Sequence, residues 1–210
     1  MLVQPWDAST DPDEWRAFVV ATGFGHLVAT GRGRDVAVVV PTQFVLDGDE
    51  VVLHLARANP VWAAIDENPA VLLSVAGDWA YIPTSWKVVG DEDPARGIPT
   101  TYYAAVQLTG TATVVDDPDE LAGVLRTQLG TFEPDGGYVD PTEHQRRFAA
   151  IRGLRIPIEA VTAKFKYGGN VDAEHRLAVA DRLDGRSGPG DEAARAHLLR
   201  RLCSGPPPGR

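Results

Sequence analysis

Between Phe24 and Val161 the chain alternates short apolar, β-branched runs with turn signals; from Asp172 to Leu202 it shifts to the wider spacing of amphipathic helices. FGHLVAT (24–30), VAVVVPTQFVL (36–46), EVVLHLA (50–56), AVLLSVA (70–76) and a short segment at 79–83 predict strands. Asp47-Gly48-Asp49 predicts a hairpin turn. Pro41 interrupts the second run, so that strand lies at a sheet edge or bulges. The longest candidate is TYYAAVQLTGTATVV (101–115). There Val106, Leu108, Gly110, Ala112 and Val114 alternate with Gln107, Thr109, Thr111 and Thr113, the pattern of an antiparallel strand covered on one side. LRIPIEAV (154–161) predicts the last strand.

Helix starts share one device. Asp11-Pro12, Asn59-Pro60 and Asp117-Pro118 place a side-chain acceptor at the N-cap and proline at N1, where its missing amide costs nothing. Glu14 and Glu120 can complete capping boxes. Helices are expected at 12–22, 60–67 and 118–130, then at 172–183 and 191–202 around GRSGPG (185–190). Strands joined by short turns with helices at a few corners give a mainly β, α+β class: an antiparallel split barrel with a C-terminal helical extension. The expected division is 1–170 for the barrel, 171–203 for the helices and 204–210 (SGPPPGR) as a disordered tail. KVVGDEDPARG (87–97) is an acidic loop of the kind that covers binding sites.

Composition narrows the function. A chain of 210 residues suits one domain with an appendage and hides roughly 70% of its unfolded surface. No apolar run approaches the ~20 residues a bilayer requires. MLVQPWDASTDPDEW has no basic segment followed by an apolar one, so no secretory signal is expected. The single cysteine, Cys203, excludes an internal disulfide framework and fits a cytoplasmic location. A net charge of −9 argues against a broad nucleic-acid surface. From Lys164 onward, however, nine Lys or Arg face six Asp or Glu, which keeps DNA among the candidate partners. No helix-turn-helix with a basic recognition helix accompanies that tail.

Candidate chemistry begins with LHLARANPVW (53–62), a strand that ends by delivering Arg57 to the start of a helix. Unpaired helix amides beside a guanidinium can hold a phosphate, while the plain alternative is that Asn59 caps the helix and Arg57 lies at the surface; the spacing leaves both open. AYIPTSWK (80–87) and IPTTYY (98–103) gather aromatics and hydroxyls suited to a planar cofactor, or to turns and core packing. KFKYGGN (164–170) is an anion loop or a hinge and lacks the P-loop pattern. His26, His54, His144, His175 and His197 show no metal-ligand spacing, so no structural metal site is expected. His54 alone falls in a buried strand, where it is a structural residue or an axial haem ligand.

HLARANPVW, AYIPTSWK and IPTTYYAAVQLTG, in this order, resemble the PaiB-like family of FMN-binding split-barrel proteins, whose pattern runs H-x-A-R-A-N-P-x-W, Y-I-S-P-S-W-Y, P-T-W-N-Y and finally K-x-S-Q-N. The resemblance spans roughly Phe24 to Asn170. It implies a homodimer with FMN at the subunit interface, and members are described as negative transcriptional regulators. Carried over by motif, His54, Arg57, Asn59, Trp62, Tyr81, Ser85, Trp86, Pro99, Thr100 and Lys166 belong to the cofactor segments, with Thr42 on a strand facing the ring. Here Lys87 replaces a tyrosine, Thr101-Tyr102 replaces Trp-Asn, and Gly168-Gly169 replaces Ser-Gln. The resemblance therefore implies an FMN-binding regulator or flavin-dependent oxidoreductase. The alternatives are a haem protein similar to the piperazate synthases, with His54 as axial ligand, and a cofactor-free DNA-binding regulator.

Overall fold

The computed structural model describes residues 1–88 and 93–202; Cys203 and the expected 204–210 tail lie outside the described residues. The strands are β1 (Phe24–Ala29), β2 (Val38–Gln43), β3 (Val45–Asp47), β4 (Glu50–Ala56), β5 (Ala70–Ile82), β6 (Thr100–Thr111), β7 (Thr113–Val115), β8 (Ile151–Pro157) and β9 (Ala160–Lys166). The helices are α1 (Glu14–Thr22), α2 (Val61–Glu67), α3 (Pro118–Phe132), α4 (Ala173–Arg186) and α5 (Asp191–Leu202). The strand orders are β2-β1-β5-β6-β9 in one sheet and β3-β4-β8-β7 in the other. This is the α+β class expected, with β2 and its Pro41 at a sheet edge. No described helix is long and apolar enough to cross a membrane.

Three runs that the hydrophobic pattern presents as single strands are in fact broken where the chain passes between sheets. The 36–46 run divides at Phe44, whose amide donates to Gly23 O at 3.1 Å while its ring is buried. The 101–115 run divides at Ala112, whose amide donates to Pro69 O at 2.8 Å. Beyond that point the alternation slips by one, so Val115 rather than Val114 is buried. The 154–161 run divides at Ile158 and Glu159, whose amides go to Asp49 O and Thr109 O, both at 2.9 Å. Conversely, 70–76 and 79–83 join into β5 through Asp78, which holds φ +51°.

Contacts group the chain into two compact units: unit 1, residues 1–18, 76–106 and 162–210, and unit 2, residues 19–75 and 107–161. In unit 2, β4 pairs with β8 and with β3, whose hairpin turns at Gly48 with φ +59°. One face of α3 packs Leu121, Ala122 and Val124 with Val52, Val115 and Phe148. Each fully buried Leu or Val there stabilises the fold by about 1.5–3 kcal/mol. α3 starts as expected, with Asp117 accepting from the amides of Asp119 and Glu120. The expected cap at Asn59 is shifted: α2 starts at Val61 and Pro60 is the N-cap, yet Asn59 Oδ1 still accepts from Val61 N at 3.0 Å. After α3, Pro141–Ala150 forms two short 3-10 pieces that meet at a kink at His144 (φ −110°, ψ 18°).

Unit 1 is built on an aromatic stack. Phe18 meets Phe165 edge-on at 5.9 Å, Tyr102 meets Tyr167 at 6.0 Å, and His197 of α5 lies flat on Tyr167 at 4.3 Å. Asp78 is held at both ends: its carbonyl accepts from Tyr167 Oη and its carboxylate lies 2.8 Å from His197 Nε2. Those bonds offset the roughly 1–2 kcal/mol that a left-handed non-glycine residue costs. Gly190 (φ +79°) leads into α5 where a Cβ would stand 2.1 Å from Trp79 O.

Burial lowers the His197 pKa, against the raising effect of Asp78. Above its ordinary value of 6.5 the imidazole is neutral folded or unfolded, and stability is at its full value. Below that pH the unfolded chain takes up a proton that the folded chain resists, so stability is lost as pH falls. Urea unfolding should show a falling midpoint from pH 6.5 to about 5.5, and His197→Gln should flatten that slope. An unchanged slope in the variant would remove His197 from the pH response.

Candidate functional site

In unit 2, the Arg57 segment is held by backbone partners. Arg57 Nε donates to Ala149 O at 3.0 Å, Nη2 donates to Ile151 O at 3.1 Å, and Nη2 also meets Asp116 Oδ1 at 3.0 Å. Asp116 takes Arg152 as well, and its pKa is lowered mainly by the Arg152 hydrogen bond, with Arg57 adding to it. Trp62 Nε1 donates to Ala56 O at 2.8 Å and carries the Arg152 guanidinium over its ring. With Asn59 on Val61 N, these residues clamp the turn between β4 and α2. The contacts leave Nη1 of Arg57 as its remaining pair of donors. Thr42 is buried and donates its hydroxyl to Gln43 O.

His54 stands elsewhere, on the wall of a cavity of about 790 Å³ in the same unit. Leu125, Leu129, Phe132, Val139 and Phe148 supply apolar wall, and Gln128, His144 and Arg147 are polar points on it. His54 Nδ1 lies 2.5 Å from Gln128 Oε1, an acceptor, which makes Nδ1 the protonated nitrogen. That tautomer leaves Nε2 as the basic nitrogen. Most of this wall comes from residues 125–151, to which the sequence pattern gives no role beyond a helix. Among the described residues there is no cluster of three or more His, Cys, Asp or Glu suited to a metal ion.

The second cavity lies in unit 1, is about 520 Å³, and is cationic. Lys166, at the end of β9, donates from Nζ to Thr100 Oγ1 at 2.7 Å, joining two residues of separate sequence motifs. Lys87, Arg96 and His175 line the same space. Burial lowers the Lys87 pKa and the neighbouring Lys166 charge lowers it further. Asp7 is the carboxylate on the wall; it pairs with Lys164 at 3.5 Å, and burial raises its pKa. Tyr102 is 2% exposed, its hydroxyl has no hydrogen-bond partner among the described residues, and burial pushes its pKa up to about 12, so it stays a donor. Gly168 (φ +70°) makes room for it: a Cβ there would lie 2.7 Å from Tyr102 Oη. The sequence departures at Lys87, Tyr102 and Gly168 thus meet in one cavity.

Tyr81, Ser85 and Trp86 are also in unit 1 and are gripped by α4. Arg186 donates to Tyr81 O at 2.8 Å, lies 4.7 Å over the Trp86 ring, and forms a bidentate pair with buried Asp191. Arg182 donates to Ser85 O at 3.2 Å. Sequence reasoning missed this clamp because its arginines lie about a hundred residues from their acceptors.

Residues 1–160 match the model of a family described as "Putative FMN-binding domain". A relative from Bacillus subtilis (strain 168), "Protease synthase and sporulation protein PAI 2", is 26% identical over 197 residues, covering 90% of this chain and 92% of that protein. The FAD and heme binding protein of Mycobacterium smegmatis is similar in fold, with TM-score 0.59, 21% identity, and 81% of this chain and 78% of that one covered. The flavocytochrome Anf3 of Azotobacter vinelandii gives TM-score 0.58, 21% identity and coverage of 78% and 71%. The structural likenesses speak for the fold, and the family match takes in most of the chain. The protein belongs to the FMN-binding domain family.

Proposed function

We propose that this chain is an FMN-binding homodimeric flavoprotein, an oxidoreductase or a PaiB-like regulator that works through the redox state of its flavin. The observation that carries this is the joining of Thr100 and Lys166 in the cationic cavity of unit 1. Both residues come from the motifs that resemble the family's cofactor segments. A phosphate group suits the cavity, because an ammonium, a hydroxyl and further cations converge on a space of about 520 Å³. When bound, flavin supplies the electron or hydride transfer. The protein's part is to hold the phosphate at Lys166 and Thr100 and to control access.

Flavin bands in the absorption spectrum of purified protein, or after reconstitution, are the first expected result. Lys166→Gln should weaken FMN about tenfold, and riboflavin, which lacks the phosphate, much less. Arg57→Ala should instead lower stability in urea by about 1 kcal/mol, through its lost carbonyl bonds, without selectively weakening FMN. If Arg57→Ala weakens FMN selectively and Lys166→Gln does not, the phosphate belongs at Arg57.

A haem reading is favoured by one observation of its own. The Gln128 contact orients His54 and fixes its tautomer at an apolar cavity of about 790 Å³, as a second-sphere partner does for an axial ligand. Haem added to the protein should then give a Soret band that His54→Ala abolishes and Gln128→Leu weakens. A band unchanged in His54→Ala would rule His54 out as the ligand.

A further inference from the structure

The cationic cavity of unit 1 contains more than the Lys166–Thr100 pair needs. Among the described residues, two buried polar atoms in its wall have no hydrogen-bond partner: Tyr102 Oη and His175 Nε2. Leaving such a donor or acceptor unsatisfied costs roughly 1–3 kcal/mol. Gly168 keeps clear the space beside the hydroxyl. The backbone amide of His175 donates to Asp172 Oδ1, the cap that starts α4. Lys87 and Arg96 bring two more cations to the same wall, and among the described lining residues the one carboxylate, Asp7, already faces Lys164. Several donors and cations with unmet acceptor demand form a receptor for an anion with several oxygens.

We infer that Lys87, Tyr102 and His175, with Lys166, form a phosphate-monoester site completed by the C-terminal helix α4. Lys87 and Tyr102 lie within the residues 1–160 that the family model matches, and His175 comes to the same wall from α4, beyond them. The site rests on the flavin reading only for the source of the phosphate, which is either FMN itself or a separate phosphorylated ligand. Tyr102 and His175 line the cavity while Tyr102 Oη and His175 Nε2 are themselves buried. Side-chain rotation of the kind common on binding brings them onto ligand oxygens. Tyr102 then donates a hydroxyl hydrogen bond, His175 donates from Nε2, and Lys87 and Lys166 neutralise the dianion.

Inorganic phosphate is the probe, titrated into the full-length apoprotein by calorimetry. Wild type should bind it at millimolar concentrations or below. Tyr102→Phe and His175→Gln should each weaken binding about three- to tenfold, and Lys87→Met by tenfold or more. Circular dichroism and urea midpoints check that the variants fold; Tyr102→Phe removes a single oxygen and keeps the ring packing on Tyr167. Loss of phosphate binding once FMN is loaded identifies the flavin's own phosphate as the occupant. Retained binding identifies a separate phosphorylated ligand, and both results support the site. A wild-type apoprotein that binds no phosphate, or folded Tyr102→Phe and His175→Gln variants that bind it like wild type, overturns the inference. Phosphate binding with the expected variant pattern in a protein that takes up no flavin leaves this site standing and removes the flavin reading.

Discussion

Three places where the chain changes sheets with no helix between the strands govern this fold, and each depends on a backbone amide finding an acceptor outside its own ladder. A strand that leaves its sheet abandons its next ladder partner, and a buried amide without an acceptor costs as much as the packing of a small side chain gains. Phe44, Ala112 and the Ile158–Glu159 pair meet this demand with Gly23, Pro69, Asp49 and Thr109. Each acceptor lies in a turn or strand of unit 2, so the corners brace one another. Gly110 shows how tight one corner is: a Cβ there would fall 2.0 Å from Pro157 O. The Ile158 corner closes the Glu50 end of the β4–β8 pair, and at the other end Arg57 leaves the sheet with its amide donating to Ala150 O at 2.8 Å.

The sequence is legible wherever the cause is local. Asp117-Pro118 caps α3 through contacts two and three residues away, and β4 and α5 start where expected because local turn residues, Asp47-Gly48-Asp49 and Gly188-Pro189-Gly190, precede them. Sheet switching is illegible by the same logic. Nothing at Ala112 marks a turn, because its special bond is to Pro69, and the apolar alternation continues on the other parity. Arg57 was ambiguous for the same kind of reason. Spacing shows a guanidinium beside a helix start, but not that its acceptors lie 92 and 94 residues along the chain.

The candidate site divides along the same line. The Thr100–Lys166 pair was visible only through a resemblance of motifs, since 66 residues separate the partners. Tyr102 was visible only as part of the IPTTYY segment, and His175 was not visible as a site residue. Tyr102 reads as one inward position of a strand, and His175 as a polar residue in the first turn of a helix. One clue was present: a tyrosine on the apolar parity of β6 carries a hydroxyl into the core, and a buried hydroxyl requires a partner.

The balance of charge argues that the unit 1 cavity is more than a consequence of folding. A chain of net charge −9 has acidic groups to spare for neutralising its cations, as Arg186 with Asp191 and Arg34 with Glu67 illustrate. At this cavity burial and the neighbouring Lys166 charge instead lower the Lys87 pKa, and the nearby carboxylate of Asp7 is engaged by Lys164. Like charges held together in a partly buried wall are unfavourable to stability alone. The arrangement is sustained by the packing around it: the Tyr102–Tyr167–His197 stack fixes the back of the cavity, and the α4 arginines hold the 81–86 segment that leads into Lys87. The C-terminal hairpin therefore works as a brace of the cavity wall, converting its own packing energy into a cluster of cations that an anion can relieve.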